Sequence, residues 1–197
     1  MNIAFVEIQN FRKLKSCRID LASKETVFVG ANNSGKTSAM DALIMFLKDS
    51  VAFTTREFTL SNWKGINEIG QGWINHKEGD TLDLSLEKWN DFLPQLDVWL
   101  KVNENEIHFV SRIIPTLSWN QELIGIRLRY EPKKIEELYK DFISYFKTAR
   151  ETKEQASKEI QEKAATVTTK SKVKKDVGGA DILALKLWPI SLWDFLD

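Results

Sequence analysis

The sequence is poor in the residues that form covalent cross-links and zinc sites. It has one cysteine, Cys17, and two histidines, His76 and His108, among 197 residues. A single cysteine cannot form an internal disulfide, so the composition fits a reducing compartment. The histidines lie far apart with no Cys or carboxylate cluster at metal-ligand spacing, which argues against a zinc site. No pattern supports a nucleophile built from Cys17 and a histidine.

An excess of charge of one sign is also missing. The chain carries 28 basic and 28 acidic residues, so its formal net charge is zero. This balance excludes a nucleic-acid-binding protein that relies on overall positive charge, and only a local patch can attract a phosphate backbone. One such patch is the lysine-rich stretch within residues 163–175, for which a solvated loop is the alternative interpretation.

Long apolar runs are absent as well. No stretch approaches the roughly 18 uninterrupted apolar residues of a membrane span. Residues 1–3 do not resemble the start of a signal peptide. We therefore expect a soluble, cytoplasmic protein without a membrane partner.

What the sequence does contain is a glycine-rich phosphate-binding pattern. Residues 30–37 read Gly-Ala-Asn-Asn-Ser-Gly-Lys-Thr and match G-x-x-x-x-G-K-[ST] at every fixed position. Gly30 and Gly35 allow the backbone to approach phosphates, whose negative charge the consecutive N–H groups of such a loop can hold. Lys36 is predicted to reach the β- and γ-phosphates, and the Thr37 hydroxyl to bind Mg²⁺. The predicted cofactor-binding residues are Gly30, Ala31, Asn32, Asn33, Ser34, Gly35, Lys36, Thr37 and Ser38.

The segments on either side of this loop fit the usual setting of the pattern. Residues 26–29, Thr-Val-Phe-Val, form a β-branched and aromatic run that predicts a buried parallel strand. Residues 36–48 predict a helix, because Met40, Leu43, Ile44 and Leu47 recur at helical spacing. This order of strand, glycine loop and helix predicts a nucleotide site at the start of the helix.

The rest of the first 132 residues is predicted to be mainly β-structure. Two strands, at 3–8 and 16–21, flank a turn at 9–14 and precede the glycine loop. Residues 51–79 are rich in turn signals and predict loops. Four runs alternate apolar and polar side chains and predict an antiparallel, half-exposed sheet, with a hairpin turn at 103–106. These runs are residues 82–87, 96–102, 107–113 and 124–130.

The last third of the chain has a different pattern. Residues 133–165 predict a helix, whose apolar stripe runs from Ile135 to Ala149. Residues 166–181 predict a flexible basic loop. The apolar tail at 182–197 contains Trp188, Trp193 and Phe195, and we expect it to pack on a missing carboxy-terminal lobe or a partner. The predicted organisation is a nucleotide-binding lobe at 1–132, a helix at 133–165, a loop at 166–181 and a tail at 182–197.

Three short motifs together resemble a known family. Residues 8–12 (Ile-Gln-Asn-Phe-Arg), residues 19–21 (Ile-Asp-Leu) and the loop at 29–37 resemble the amino-terminal lobe of ABC-type ATPases in the SMC, RecF and OLD group. The Asn-Asn-Ser-Gly-Lys version of the loop is most similar to the OLD (overcoming lysogenization defect) ATP-dependent nucleases and their relatives in anti-phage defence. The resemblance implies an α/β P-loop fold with a mixed sheet, an antiparallel β-subdomain and a C-terminal helical excursion.

The resemblance also implies cofactors, partners and further site residues. It implies ATP with Mg²⁺, a homo-oligomer formed through the ATPase domains, and a DNA transaction, either cleavage in anti-phage defence or repair and recombination. Arg12 stands where the family often places a basic residue near the nucleotide, although a solvated turn arginine is the alternative. The amides of Asn32 and Asn33 are candidates to contact the γ-phosphate or the attacking water. Gln121 and Gln71 are candidates for the glutamine that contacts Mg²⁺ and water.

ATP hydrolysis needs parts that this sequence does not show. An acidic residue at the end of an apolar strand must hold Mg²⁺, and a further group must position water. The sequence has no run of four apolar residues followed by Asp-Asp or Asp-Glu, and no Leu-Ser-Gly-Gly signature. The resemblance places these parts in a carboxy-terminal lobe, so we expect the chain to be an amino-terminal segment of a longer or split protein.

Other functions stay open at this point. The chain can be a non-catalytic, nucleotide-responsive module that docks a partner through its aromatic tail. A GTPase has weak support, because Asp176-Val177-Gly178-Gly179 fits D-x-x-G but follows a loop, and no Asn-Lys-x-Asp element follows it. A small-molecule kinase needs an arginine-rich lid, which the β-rich middle does not offer.

Overall fold

The computed structural model describes residues 1–48, 53–77, 81–114, 116, 119, 123–167 and 188–196. The chain divides into two units. The first comprises Met1–Gly65 and Leu86–Glu131 and contains the glycine loop, and the second comprises Ile66–Ser85 and Pro132–Asp197.

The first unit is built on a four-stranded antiparallel sheet with the order β2-β1-β3-β4. Its strands are β1 (Asn2–Phe11), β2 (Leu14–Asp20), β3 (Gln95–Lys101) and β4 (Ile124–Arg129). β1 and β2 form a local hairpin, whereas the pairing of β1 with β3 brings Asn2 opposite Lys101. The sheet therefore has three pairings: the local hairpin of β1 and β2, the β1–β3 pairing that spans about half of the chain, and the β3–β4 pairing.

Alternate side chains of the strands form the core of this unit together with two alanines of α1 (Lys36–Leu47). Every second residue of a strand points to the same face, so one face of the sheet carries a continuous apolar surface. The small alanine side chains let α1 lie close to that surface. The buried core residues of these elements are Val6, Ile8, Phe11, Ala39, Ala42, Leu96, Val98, Leu100 and Ile124.

The opposite face of the sheet carries charged and aromatic side chains. Arg127 donates two hydrogen bonds of 2.8 Å to the Asp97 carboxylate, whose side chain is 9% exposed. The Trp99 ring stacks on Phe5 with 5.4 Å between ring centroids. A buried carboxylate is tolerated only when it is paired and hydrogen-bonded, and Arg127 supplies both interactions.

Several predicted elements of this unit are confirmed. The strands predicted at 3–8, 16–21, 96–102 and 124–130 correspond to β1, β2, β3 and β4, and the helix predicted at 36–48 corresponds to α1. The first hairpin is tighter than expected, because β1 continues to Phe11 and β2 begins at Leu14, where a longer turn was predicted.

The parallel strand predicted at residues 26–29 is wrong. No strand is assigned there, and the side chains of Val27 and Val29 are 71% and 88% exposed. A buried parallel strand needs hydrogen-bonded neighbours, and none of the described residues pairs with this segment. High β-propensity alone does not make a strand.

The alternating runs at 82–87 and 107–113 and the hairpin turn at 103–106 are wrong as well. Glu104–Glu106 is a 3₁₀ turn that leads into α3 (Ile107–Val110), and Leu86–Trp89 is another 3₁₀ turn. Local capping explains both changes: the Asn103 N–H donates to the Glu106 carboxylate at 3.2 Å, and the Ser85 N–H donates to Asp83 at 2.9 Å. Such side-chain bonds compete with strand pairing.

The second unit is helical. It contains most of α2 (Trp63–Ile74), the long α4 (Ile135–Val167) and the short α5 (Leu192–Leu196). α4 confirms the helix predicted at 133–165, but α2 contradicts the loop predicted at 51–79. Its buried residues Ile66, Gly70 and Trp73 follow helical spacing, which the glycines in this segment obscured. Beyond the end of α4, the loop predicted at 166–181 lies outside the described residues.

The described part of the apolar tail is only partly buried in this unit, since Trp188 and Ile190 are 51% and 57% exposed. Leu192 is 1% exposed, and a Cβ added at Gly70 of α2 would lie 2.5 Å from the Leu192 Cβ. Phe195 packs on Phe142 of α4 with ring centroids 5.7 Å apart. The sequence predicted a covering surface outside the chain. For Leu192 this is corrected, because α2 provides the surface through a residue without a side chain.

Candidate nucleotide-binding site

The glycine loop runs directly into α1. Gly35 is the N-cap residue and has left-handed backbone with φ 91°, and Asn33 is also left-handed with φ 68°. The Ala39 N–H donates to the Gly35 carbonyl at 2.9 Å and so forms the first hydrogen bond of the helix. The N–H groups of residues 36–38 precede that bond and have no acceptor within the helix. These groups are therefore available to an anion.

Glycine is required at position 35 for two reasons. A φ of 91° strains any residue with a Cβ, and a Cβ added there would lie 2.9 Å from Leu14 Cδ2. Leu14 is the first residue of β2, so the position of the β1–β2 hairpin determines how close the backbone at Gly35 lies to Leu14. At Gly30 an added Cβ would lie 3.0 Å from Ser34 Oγ, the side chain of another loop residue.

The charges around the loop favour a bound anion. The first turn of α1 contains no acidic residue, and among the described residues no side-chain hydrogen bond caps the helix. The Lys36 Nζ donates to the carbonyls of Gly30 and Ala31 at 2.7 Å and to Ser34 Oγ at 3.3 Å. The helix dipole adds partial positive charge at the same point. The Lys36 ammonium and the helix dipole both attract a phosphate group here.

The residues of the loop fit one metal ion of the Mg²⁺ type. The exposed Thr37 offers one hydroxyl oxygen at the start of α1. Across the described ranges, no group of three or more His, Cys, Asp or Glu side chains is placed to hold a metal. Mg²⁺ usually takes few protein ligands and keeps water and phosphate oxygens as the rest of its shell. One hydroxyl beside a phosphate loop is consistent with that habit.

Arg12 holds the hairpin to two other elements. Its guanidinium forms ion pairs with Asp41 of α1 and, at 3.4 Å, with Glu57. The backbone N–H of Arg12 donates to the backbone carbonyl of Glu57 at 2.8 Å, and the Arg12 backbone is left-handed with φ 49°. Arg12 is therefore a buttress between β1, α1 and the 3₁₀ turn Thr55–Glu57. The nucleotide contact that the resemblance implies for Arg12 stays a prediction.

The carboxyl group of Glu57 has a lowered pKa. Burial acts to raise it, but hydrogen bonds from the Thr54 hydroxyl and Thr54 N–H, together with Arg12, outweigh burial and bring the pKa below its ordinary value of 4.5. The Thr54 N–H and hydroxyl donate to Glu57 Oε2 at 2.8 and 2.6 Å. Glu57 is thus held in its charged form opposite Arg12.

Asn10 fixes the end of β1 just before Arg12. Its backbone is left-handed with φ 55°, and its side chain is buried. The Asn10 Nδ2 donates to the carbonyls of Asp91 at 2.9 Å and Leu93 at 3.3 Å, and Asn10 Oδ1 accepts from Asn62 Nδ2 at 3.0 Å. Three elements are joined through one amide. The hairpin turn that carries Arg12 is rigid as a result.

The sequence analysis missed two residues of this region. Lys13, next to Arg12, donates from Nζ to the Asn33 side-chain oxygen within the glycine loop. Asp41, the ion-pair partner of Arg12, lies four residues after Thr37 and therefore on the same face of α1. The spacing of four from Thr37 could have predicted that Asp41 lies near the site. No sequence pattern around Lys13 predicts its contact with a loop residue 20 positions away.

The other candidate residues lie elsewhere or outside the described ranges. Asn32 is an exposed residue of the loop, and Gln71 is exposed on α2 in the second unit. His108 lies exposed on α3 and not on a strand, and Cys17 lies half-buried on β2. Gln121, the Asp176-x-x-Gly179 match and the lysines from 170 onward fall outside the described residues.

The loop from Gly30 to Ser34 is exposed, and a described cavity lies elsewhere. That cavity has a volume of about 640 Å³ and is lined by Met45 and Phe46 near the end of α1, by Phe53, and by Leu128 and Tyr130 at the end of β4. At a rise of about 1.5 Å per residue, the ten or so residues between Lys36 and Phe46 span about 15 Å. The cavity therefore lies at the other end of α1 from the candidate phosphate loop.

Comparison with known proteins gives a family and two relatives. A family model described as AAA ATPase domain matches residues 1–184. The chain is 28% identical over 156 residues to an ATP/GTP phosphatase of Helicobacter pylori (strain ATCC 700392 / 26695), covering 74% of this chain and 40% of that protein. It is 24% identical over 86 residues to the DNA replication and repair protein RecF of Geotalea daltonii, covering 44% of this chain and 23% of RecF. The chain spans less than half of each relative.

One solved structure shows a looser likeness. It comes from a study of ATP-driven dimerization and DNA-stimulated activation of SMC ATPases, with a TM-score of 0.36 and 16% identity over 66% of this chain and 63% of that chain. A superposition this loose supports no inference about function. The family match confirms the predicted α/β P-loop ATPase lobe, and the similarity to RecF supports the RecF part of the resemblance. The OLD part stays a prediction. Among the described helices, none has the length and apolar character that a bilayer span requires.

Proposed function

Because the chain belongs to the AAA ATPase domain family, we propose that it binds ATP with Mg²⁺ through residues 30–38. The observation that carries the proposal is the junction of the glycine loop with α1. There a left-handed Gly35, the N–H groups of the first helical turn, which have no acceptor within the helix, and the Lys36 ammonium lie together at a partly exposed surface. A polyphosphate is the ligand that such a junction binds best, because it accepts many hydrogen bonds and carries several negative charges.

The two side chains that follow Gly35 have separate roles in this proposal. Lys36 exchanges the carbonyls of Gly30 and Ala31 for the β- and γ-phosphates. The Thr37 hydroxyl joins the shell of a Mg²⁺ ion that also binds phosphate oxygens and water. Lys36 therefore contributes charge to ATP binding with or without metal, whereas Thr37 contributes only when Mg²⁺ is present.

We further propose that the chain is the amino-terminal part of a larger ATPase of the SMC and RecF type, which dimerises around nucleotide and drives a DNA transaction. Two observations support this. The relatives are longer than the chain. Large apolar side chains beside the loop and on α1 are 44–88% exposed, and a further lobe or a second subunit would cover them. They are Val27, Val29, Met40, Ile44 and Leu47.

The kind of DNA transaction separates two candidates. The resemblance to OLD proteins favours ATP-dependent DNA cleavage in anti-phage defence. The similarity to RecF of Geotalea daltonii favours repair or recombination. A nuclease assay on the protein as its native cell makes it distinguishes them, because only the first candidate predicts DNA breaks that depend on ATP.

Titration calorimetry of the purified chain with ATP tests the binding proposal. Lys36→Ala is expected to abolish measurable binding, while Lys48→Ala, an exposed lysine at the other end of α1, leaves it unchanged. Thr37→Ala is expected to weaken binding in Mg²⁺ and to match the unsubstituted chain in EDTA. Unchanged affinity in Lys36→Ala contradicts the site. Sustained hydrolysis by the chain alone would argue against the non-catalytic module.

A further inference from the structure

The hairpin turn between β1 and β2 carries two consecutive cations in different electrostatic surroundings. The Arg12 guanidinium lies between two carboxylates, Asp41 and Glu57. Its positive charge is therefore already balanced within the protein. Lys13 is exposed, and in the described part of the chain its ammonium bonds only to the neutral side-chain amide of Asn33. Of the two cations, Lys13 is the one whose charge is free to bind a ligand.

The contact of Lys13 places that charge on the glycine loop itself. Asn33 lies between Gly30 and Gly35 and is exposed. The Lys36 ammonium also donates hydrogen bonds to neutral oxygens of this loop, the carbonyls of Gly30 and Ala31. Two ammonium groups thus bond to neutral oxygens of one eight-residue loop, and no described acidic side chain pairs with either. Such an arrangement concentrates positive charge where several N–H groups also point outward.

We propose that Lys13 is a second phosphate-binding cation of this site, supplied by the β1–β2 turn. When ATP binds, the Lys13 ammonium leaves the Asn33 amide for a phosphate oxygen, as Lys36 leaves its loop carbonyls. Arg12 stays with Asp41 and Glu57 and holds the turn in place. This inference rests on the proposed ATP site and identifies a residue of it that the glycine-loop pattern does not include.

Calorimetric ATP affinity in Mg²⁺ tests the role of Lys13, with Lys15 as the matched control. Lys15 is exposed two residues further along, on β2, and has no described contact with the loop. Lys13→Met is expected to weaken ATP binding about tenfold, the effect of losing one hydrogen bond between charged groups. Lys13→Arg keeps the charge and is expected to restore most of the affinity. Lys15→Met is expected to leave the affinity unchanged.

A second readout separates phosphate contact from support of the loop. If Lys13 touches phosphate, Lys13→Met makes ATP affinity less sensitive to salt, because one screened charge pair is lost. If Lys13 only holds Asn33, Lys13→Met leaves the salt sensitivity of ATP affinity unchanged, which overturns the proposal. Equal affinity of Lys13→Met and the unsubstituted chain overturns it as well. If Lys36→Ala also binds normally, the ATP site itself is wrong and both proposals fall together.

Discussion

Residues 10–12 and residues 33–35 each contain two left-handed backbone conformations, but the surroundings of the two stretches differ. Asn10 and Arg12 at the end of β1 are left-handed, and so are Asn33 and Gly35 in the glycine loop. At β1, buried hydrogen bonds to Asn10 and ion pairs to Arg12 hold the conformation. In the loop Asn33 is exposed and Gly35 is partly exposed. Left-handed backbone costs about 1–2 kcal/mol per residue with a side chain. The same conformation is thus held by contacts at β1 and lies in the proposed binding loop at residues 33–35.

Substituting the two asparagines gives the largest expected difference between the stretches. Asn10→Ala removes the donors to the Asp91 and Leu93 carbonyls and the acceptor for Asn62. We expect it to lower the free energy of unfolding by about 2–4 kcal/mol, because buried polar groups lose their partners. Asn33→Ala is expected to lower it by less than about 1 kcal/mol, since its side chain is exposed. Urea denaturation measures both, and equal losses would contradict the division into a stabilising and a binding stretch.

Glycine substitutions test the loop side of the comparison. Gly35→Ala introduces a Cβ at φ 91° and 2.9 Å from Leu14 Cδ2, and should lower the free energy of unfolding by about 1–2 kcal/mol. Gly72→Ala, in the last turn of α2 with nothing within 4 Å of the added Cβ, should raise it by about 0.5–1 kcal/mol. Opposite signs in thermal melts are the expected result. If both substitutions change the free energy of unfolding in the same direction, backbone strain at Gly35 does not determine the effect of Gly35→Ala.

The pH dependence of stability tests the β1 side and is the smallest expected effect. Because the folded pKa of Glu57 is lowered, its ionised form stabilises the protein above the ordinary value of 4.5, and that contribution is lost as pH falls through the folded pKa. Glu57→Gln should remove this part of the acid dependence. The free energy of unfolding, measured by urea denaturation at pH 3 to 6 in both proteins, provides the comparison. Parallel curves would mean that Glu57 does not respond as described.

The sequence predicted what local patterns determine. The glycine loop, α1, α4 and four strands carry periodic or motif signals within a few residues, and these elements are where the pattern placed them. The strand predicted at residues 26–29 is wrong because a strand also needs hydrogen-bonded neighbouring strands. The helix α2 was not predicted because Gly65, Gly70 and Gly72 resemble turn signals. A helix tolerates glycine when packing requires it, as Leu192 requires it at Gly70.

The site was predicted as a loop and not as an assembly. Its eight-residue pattern is readable, but the partners that shape it are not. Lys13 meets Asn33 across 20 residues, and Arg12 meets Asp41 across 29. No sequence period links positions at such distances. Only the hairpin geometry, with Leu14 against Gly35, brings them together.

The order of strands in the sheet has a consequence for synthesis of the chain. The hairpin of β1 and β2, the glycine loop and α1 are all complete by Leu47, whereas β3 begins only at Gln95. During translation, one edge of β1 therefore stays unpaired while about 50 more residues are synthesised, at roughly 5–20 residues per second. Closing such a distant pairing is slow compared with forming a local hairpin. We expect the frame of the phosphate loop to form early and the β1–β3 pairing to set the folding rate.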